Sequence, residues 1–128
     1  MATSKGTKIL VVDDDPFILD IYVMKFKEQG FQIDTATDGK MALERIDAGK
    51  PDLVLLDVVM PKMDGFDVIK KIQESKTPRA FKILFLTNFG QKEDVERGMQ
   101  LGADGYIIKA HFTPSEVVAK AKELLKIT

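Results

Sequence analysis

The chain has 128 residues and a mass of 14.3 kDa, enough to bury a core without a disulfide or a structural metal. Hydrophobic residues make up 45% and charged residues 30%, which excludes a disordered segment. Nineteen Lys and Arg stand against 20 Asp and Glu, without the basic excess of a nucleic-acid-binding domain. With no cysteine and one histidine, His111, thiol chemistry and multi-histidine zinc sites are excluded as well. No apolar run approaches the roughly 18–20 residues of a transmembrane helix. Met1 to Thr7 carry no apolar signal core, so cytoplasmic placement is the default expectation.

Apolar runs of strand length alternate with helical-period segments along the whole chain. The first strand is expected at Lys8–Val12. Asp15 follows as a helix cap with Pro16 in the first turn, and the helix runs to about Gln29 before Gly30. Its core stripe reads as Ile18, Ile21, Tyr22 and Phe26. A second strand, Gln32–Ala36, precedes a helix at about Gly39–Ala48 that ends at Gly49, with Met41, Ala42 and Ile46 as apolar positions. The third strand, Leu53–Leu56, leads to a helix from near Asp64 to about Glu74 that buries Phe66, Ile69 and Ile72. The fourth, Lys82–Leu86, precedes a helix at about Gln91–Leu101 that stops at Gly102. The fifth, Gly105–Ile108, precedes a helix capped by Thr113 and Pro114, with Val117, Val118, Ala121, Leu124 and Leu125 on its apolar face.

The runs Ile9–Val12, Leu53–Leu56 and Ile83–Leu86 are almost purely apolar, as expected of parallel strands covered on both faces. Five strands alternating with five helices predict an α/β fold, a doubly wound five-stranded parallel sheet. The favoured strand order is the flavodoxin-like 2-1-3-4-5, in one domain spanning the chain with a core at about 8–126.

In such sheets ligands bind at the carboxyl ends of the strands, where the strand order reverses. The first strand is followed there by Asp13, Asp14 and Asp15, the third by Asp57, the fourth by Thr87 and Asn88, and the fifth by Lys109. Asp15 reads mainly as a helix cap. Clustered carboxylates repel unless a cation neutralises them, and an all-oxygen donor set favours Mg²⁺ or Mn²⁺. A hydroxyl and an ammonium beside such an ion supply donors for phosphoryl oxygens. The edge is suited to phosphoryl transfer onto an aspartate.

At this point the sequence resembles the receiver domains of two-component response regulators, from about Lys8 to Leu125. The resemblance rests on Ile9–Asp15, on Leu55–Gly65 with its Asp57 and Met60-Pro61-Lys62-Met63-Asp64-Gly65, on Thr87, and on Gly102–Lys109. It implies that Asp57 accepts the phosphoryl group. Asp14 would bind Mg²⁺ directly and Asp13 through water, with Asp57 and the Val59 backbone carbonyl completing the ligands. Thr87 and Lys109 would contact phosphoryl oxygens, and Tyr106 would be the aromatic switch residue. The implied donor is a phosphohistidine on a sensor histidine kinase or phosphotransfer protein. A downstream protein target would be recognised without direct nucleic-acid or membrane contact, by a monomer or weak dimer. Self-dephosphorylation is implied too.

Three departures from the family pattern bear on the chemistry. Ala110 follows Lys109 where the family usually has a cis proline. A cis bond before a non-proline residue costs about 2.5–4 kcal/mol, so either the bond is trans with Lys109 re-aimed, or it is cis and strained. Asn88 replaces a small residue. Val59 and Phe89 stand where polar side chains assist a hydrolytic water in some relatives, and this predicts slow self-dephosphorylation. On the first helix, Leu19 and Val23 lie off the expected core stripe near Pro16 and Phe17. They are expected either to dock a kinase helix or to pack on the fifth helix. No output domain follows the fifth helix in this sequence, the expectation for a stand-alone receiver, a relay element or a piece of a longer protein. His111 is given no role.

Other readings stay open. Asp13-Asp14-Asp15 with Thr87 and a lysine also resembles the haloacid-dehalogenase phosphatases, with Asp13 as nucleophile, although that leaves Met60–Gly65 unexplained. A flavodoxin is disfavoured because carboxylates after the first strand would repel a flavin phosphate. A receiver-like module that binds partners without phosphorylation is the third alternative, left open by Ala110.

Overall fold

The computed structural model describes residues 5–75, 79–88 and 91–127. Five strands, β1 (Lys8–Val12), β2 (Gln32–Ala36), β3 (Leu53–Leu56), β4 (Lys82–Thr87) and β5 (Gly105–Ile108), alternate with helices α1 (Pro16–Glu28), α2 (Gly39–Gly49), α3 (Gly65–Glu74), α4 (Lys92–Gln100) and α5 (Pro114–Leu125). All strand pairs are parallel, in the order β2-β1-β3-β4-β5, as the alternation predicts.

Side-chain alternation along the central strands creates two cores. Leu10, Val12, Val54, Leu56, Ile83 and Phe85 face α2 and α3, meeting Ala42, Ile46, Phe66, Val68 and Ile69. Ile9, Val11, Leu53, Leu55, Leu84 and Leu86 face α1 and α5, meeting Leu19, Tyr22, Phe26, Val117, Val118 and Ala121. Because β1, β3 and β4 are covered on both sides, their sequences are apolar at nearly every position rather than at alternate ones.

The first helix corrects the sequence reading. Leu19, Tyr22 and Phe26 are its buried residues, while Ile21 is 45% exposed. Tyr22 and Phe26 belong to either of two overlapping helical stripes, and packing against α5 selects the one that contains Leu19. Leu19 therefore packs toward α5, the second of the two expectations for it, and Val23 is half-buried. The exposed apolar residues of α1 are instead Phe17, Ile21 and Met24.

Asp15 caps α1 as expected, accepting from the Phe17 and Ile18 amides. α2 runs through Gly49 rather than ending before it, and the left-handed residue that closes it is Lys50, φ 48°. Lys109–His111 form a 3-10 turn that no sequence pattern announces. Among the described residues no peptide bond is cis and no helix is long and apolar enough to cross a membrane.

Candidate functional site

Strand register assembles the edge. Val12 pairs with Leu56, Leu56 with Phe85, and Thr87 with Ile108, so the residues after β1, β3 and β5 emerge side by side with the end of β4. The ladder continues one step beyond the strands: the Asp13 amide donates to the Ala36 carbonyl (3.1 Å) and the Asp57 amide to the Val12 carbonyl (3.0 Å). Both aspartates are thus fixed by the sheet while their carboxylates stand at its rim.

The buried polar or charged residues among those described are Asp13, Asp57 and Thr87, and all three lie at this edge. One carboxylate oxygen each of Asp13, Asp14 and Asp57 falls within 4.8 Å of the others. The Lys109 ammonium donates to Asp13 Oδ2 and, at 3.4 Å, to Asp57 Oδ2. Asp13 Oδ1 accepts from the Asp15 amide at 2.9 Å, and the Thr87 hydroxyl donates to the Asp57 carboxylate. Lys109 enters the site from a trans 3-10 turn. Of the two expectations for the bond before Ala110, the trans one holds, and Lys109 still reaches Asp13 and Asp57.

Burial pushes the Asp57 carboxyl above its ordinary range, only partly countered by the Lys109 charge and the Thr87 hydrogen bond. Burial alone would lower Lys109, but its hydrogen bond to Asp13 and the Asp57 charge outweigh that and raise it. Three carboxylates therefore face one cation, a deficit of positive charge that a divalent ion would make up. Two oxygens on one Mg²⁺ at 2.0–2.1 Å lie at most about 4.2 Å apart. The 4.8 Å cluster thus fits a hard, oxygen-liganded ion after small side-chain rotations or with an intervening water.

The family model of the response regulator receiver domain matches residues 9–122. This chain belongs to that family. It is 41% identical over 119 residues to the alkaline phosphatase synthesis transcriptional regulatory protein PhoP of Bacillus subtilis, covering 93% of this chain and 48% of that protein. It is 34% identical over 121 residues to the DNA-binding dual master transcriptional regulator RpaA of Synechocystis, covering 94% and 50%. The receiver thus spans about half the length of these relatives. Among solved structures it is similar to a beryllofluoride-activated DrrB receiver domain, with TM-score 0.81, 32% identity and coverage of 94% of this chain and 97% of that one. It is also similar to the Vibrio cholerae chemotaxis protein CheY4, with TM-score 0.85, 28% identity and coverage of 96% and 99%. Receiver domains bind Mg²⁺ at an acidic cluster of the kind formed here by Asp13, Asp14 and Asp57.

The remaining receiver positions fall around this centre. Val59, two residues past Asp57, is 57% exposed, and Phe89 lies outside the described residues. Tyr106 is half-buried, its ring 5.5 Å from Phe85. Its phenol is pushed up to about 12 by burial and by the Asp94 and Asp57 charges. His111 is exposed in the 3-10 turn.

Sequence reasoning missed the supports of the site. Gly65 begins α3 so close to β3 that a Cβ there would lie 2.4 Å from the Asp57 carbonyl oxygen and 2.9 Å from Phe85. Its amide donates to the Val58 carbonyl at 2.8 Å. The neighbouring Asp64–Asp67 capping box fixes where the helix starts. Asp64-Gly65 was legible as a helix start, but the collision that requires glycine is a tertiary contact.

Proposed function

We propose that this receiver accepts a phosphoryl group on Asp57 in a Mg²⁺-dependent reaction and uses it to switch a protein-contact surface. The carrying observation is the convergence of Asp13, Asp14 and Asp57 with Lys109 and Thr87 at one strand edge. Asp13, Asp14 and Asp57, with the Val59 carbonyl, would hold the ion, Asp14 directly and Asp13 through water, and bound there it would supply charge neutralisation for the transferring group. An Asp57 carboxylate oxygen forms the new bond to phosphorus as the donor's P–N bond breaks, and the imidazole nitrogen leaves with the bond's electron pair and takes up a proton. Lys109 and Thr87 donate to the phosphoryl oxygens. The phosphoryl group adds nearly two negative charges, which favours the loop arrangement that brings Thr87 and then Tyr106 toward it.

The donor in this reading is a phosphohistidine on a sensor kinase or phosphotransfer protein. Phe17, Ile21 and Met24, 79%, 45% and 62% exposed, follow an i, i+4, i+7 spacing on α1, which suits a helical partner surface. The receiver works in the cytoplasm on a protein target. Mn²⁺ has the same preference for oxygen ligands and is expected to substitute for Mg²⁺ in that reaction.

The test is incubation with Mg²⁺ and a small acyl or amido phosphate, followed by mass measurement. One base-labile phosphoryl group appears on the parent protein and none on Asp57→Asn. Repeated turnover of the donor that depends on Asp13 would point to a phosphatase instead. No phosphoryl gain with an intact fold would favour a phosphorylation-independent binding module.

A further inference from the structure

A series of packed rings runs from the start of α3, beside Asp57, across β4 and β5 to α4. Phe66, immediately after Gly65, is 2% exposed and meets Phe85 edge-on, with centroids 5.5 Å apart and planes at 65°. Phe85 in turn lies 5.5 Å from Tyr106. α4 rests directly on this last pair: a Cβ on Gly98 would come within 3.1 Å of both rings. Thr87 stands two residues beyond Phe85 on the same face of β4, so a Tyr106 ring moving toward Thr87 moves while in contact with α4.

α4 is shallowly seated: Gly98 is its buried residue, Asp94 and Val95 are half-buried, and its N-cap makes no side-chain hydrogen bond. Arg97 adds a tie to α3, its guanidinium sitting 4.4 Å above the centroid of the Phe66 ring, within the range of a cation–π contact.

We propose that Arg97 is a positioning residue: by clasping Phe66 it pins α4 over the Phe85–Tyr106 pair and opposes the movement of Tyr106 that phosphorylation demands. The proposal rests on the phosphoacceptor reading of Asp57. Loosening the clasp lowers the cost of switching, so a phosphoryl mimic binds more tightly even though Arg97 does not touch it.

The experiment compares the parent with Arg97→Met, which keeps an apolar stem and loses the cation. Lys92→Met makes the same charge change on the same helix, at an exposed lysine that pairs with Glu96, and serves as the control. Beryllofluoride binding in the presence of Mg²⁺ is measured by calorimetry in 0.15 M salt, about 8 Å of screening. Arg97→Met should bind about two- to fivefold more tightly, the size of an exposed cation–π contact, and Lys92→Met should match the parent. A folded Arg97→Met protein with parental or weaker affinity overturns the proposal, as does Lys92→Met reproducing the gain. If the parent itself fails to bind beryllofluoride, the phosphoacceptor reading falls and the clasp falls with it.

Discussion

Replacing Lys109 by methionine isolates the electrostatics of the site, because the apolar stem is kept and only the charge is lost. The side chains of Lys109, Asp13 and Asp57 are 11%, 4% and 9% exposed, so solvent screens them weakly. At an effective dielectric of about 20, unit charges 3.4 Å apart attract by roughly 5 kcal/mol. The desolvation of the ammonium offsets part of this. Removing one partner of a buried ion pair costs about 3–5 kcal/mol, mostly from the charge left behind. Loss of the Lys109 charge pushes the Asp57 carboxyl further upward, which eases the burial of an unpaired charge, so the expected loss is near the lower figure, about 3 kcal/mol. For a domain of this length that lowers Tm by about 10–15 °C. The assay is thermal unfolding by far-ultraviolet circular dichroism at pH 7 with and without Mg²⁺. The ion supplies the missing positive charge, so Mg²⁺ should raise the Tm of Lys109→Met by more than it raises the parent's. Adding Asp13→Asn to Lys109→Met should recover part of the loss without any metal. A Lys109→Met protein that melts within about 2 °C of the parent in the absence of Mg²⁺, against the shift expected from a buried pair, would refute the argument, and so would equal stabilisation of both by the ion.

Four further outcomes are expected. Both phenols are pushed above their ordinary value, Tyr22 through burial and Tyr106 up to about 12, so absorbance at 295 nm should rise at higher pH in the native protein than in the unfolded chain. A raised phenol contributes stability that is complete below the unfolded value of about 10 and is lost as pH climbs toward 12, because the unfolded chain ionises first; unfolding free energies measured across that window should fall accordingly. Gly65→Ala forces a Cβ into the Asp57 carbonyl and should cost about 2–3 kcal/mol of stability by overpacking, with slower phosphorylation by a small donor; a chemical-denaturation midpoint equal to the parent's would contradict this. Val59 presents an apolar side chain two residues from the acceptor, so phosphate should leave Asp57 slowly and Val59→Asn should speed its loss; decay of the parent's phosphoryl group within seconds, followed by mass, would exclude a protective role. Lys50→Gly relieves a left-handed non-glycine residue at the end of α2 and should stabilise the fold by about 1 kcal/mol, read as a higher denaturation midpoint.

What was legible in the sequence, and what was not, divides along the line between local and tertiary causes. The strand order and both cores follow from runs such as Leu53–Leu56, whose uninterrupted apolar character has one explanation, burial on two faces. Asp13, Asp57 and Lys109 could be gathered on paper because each immediately follows a strand, and parallel strands deliver their carboxyl ends to one edge. α1 could not be oriented in this way. Tyr22 and Phe26 are common to two stripes, and only the presence of α5 alongside decides that Leu19 turns inward while Phe17, Ile21 and Met24 remain outside. Lys50 shows the same limit at smaller scale: Gly49 carries the local signal for a helix end, yet the chain makes its left-handed turn one residue later. The ring series from Phe66 to Tyr106 lies furthest beyond sequence reasoning. Each ring reads as an ordinary core residue, and Gly98 reads as a weak point in a helix. The fold brings three rings and one glycine from four elements together, so the absence of a side chain at Gly98 lets α4 rest on the Phe85 and Tyr106 rings. A tertiary contact of this kind leaves no local mark in the sequence of any one of the four elements.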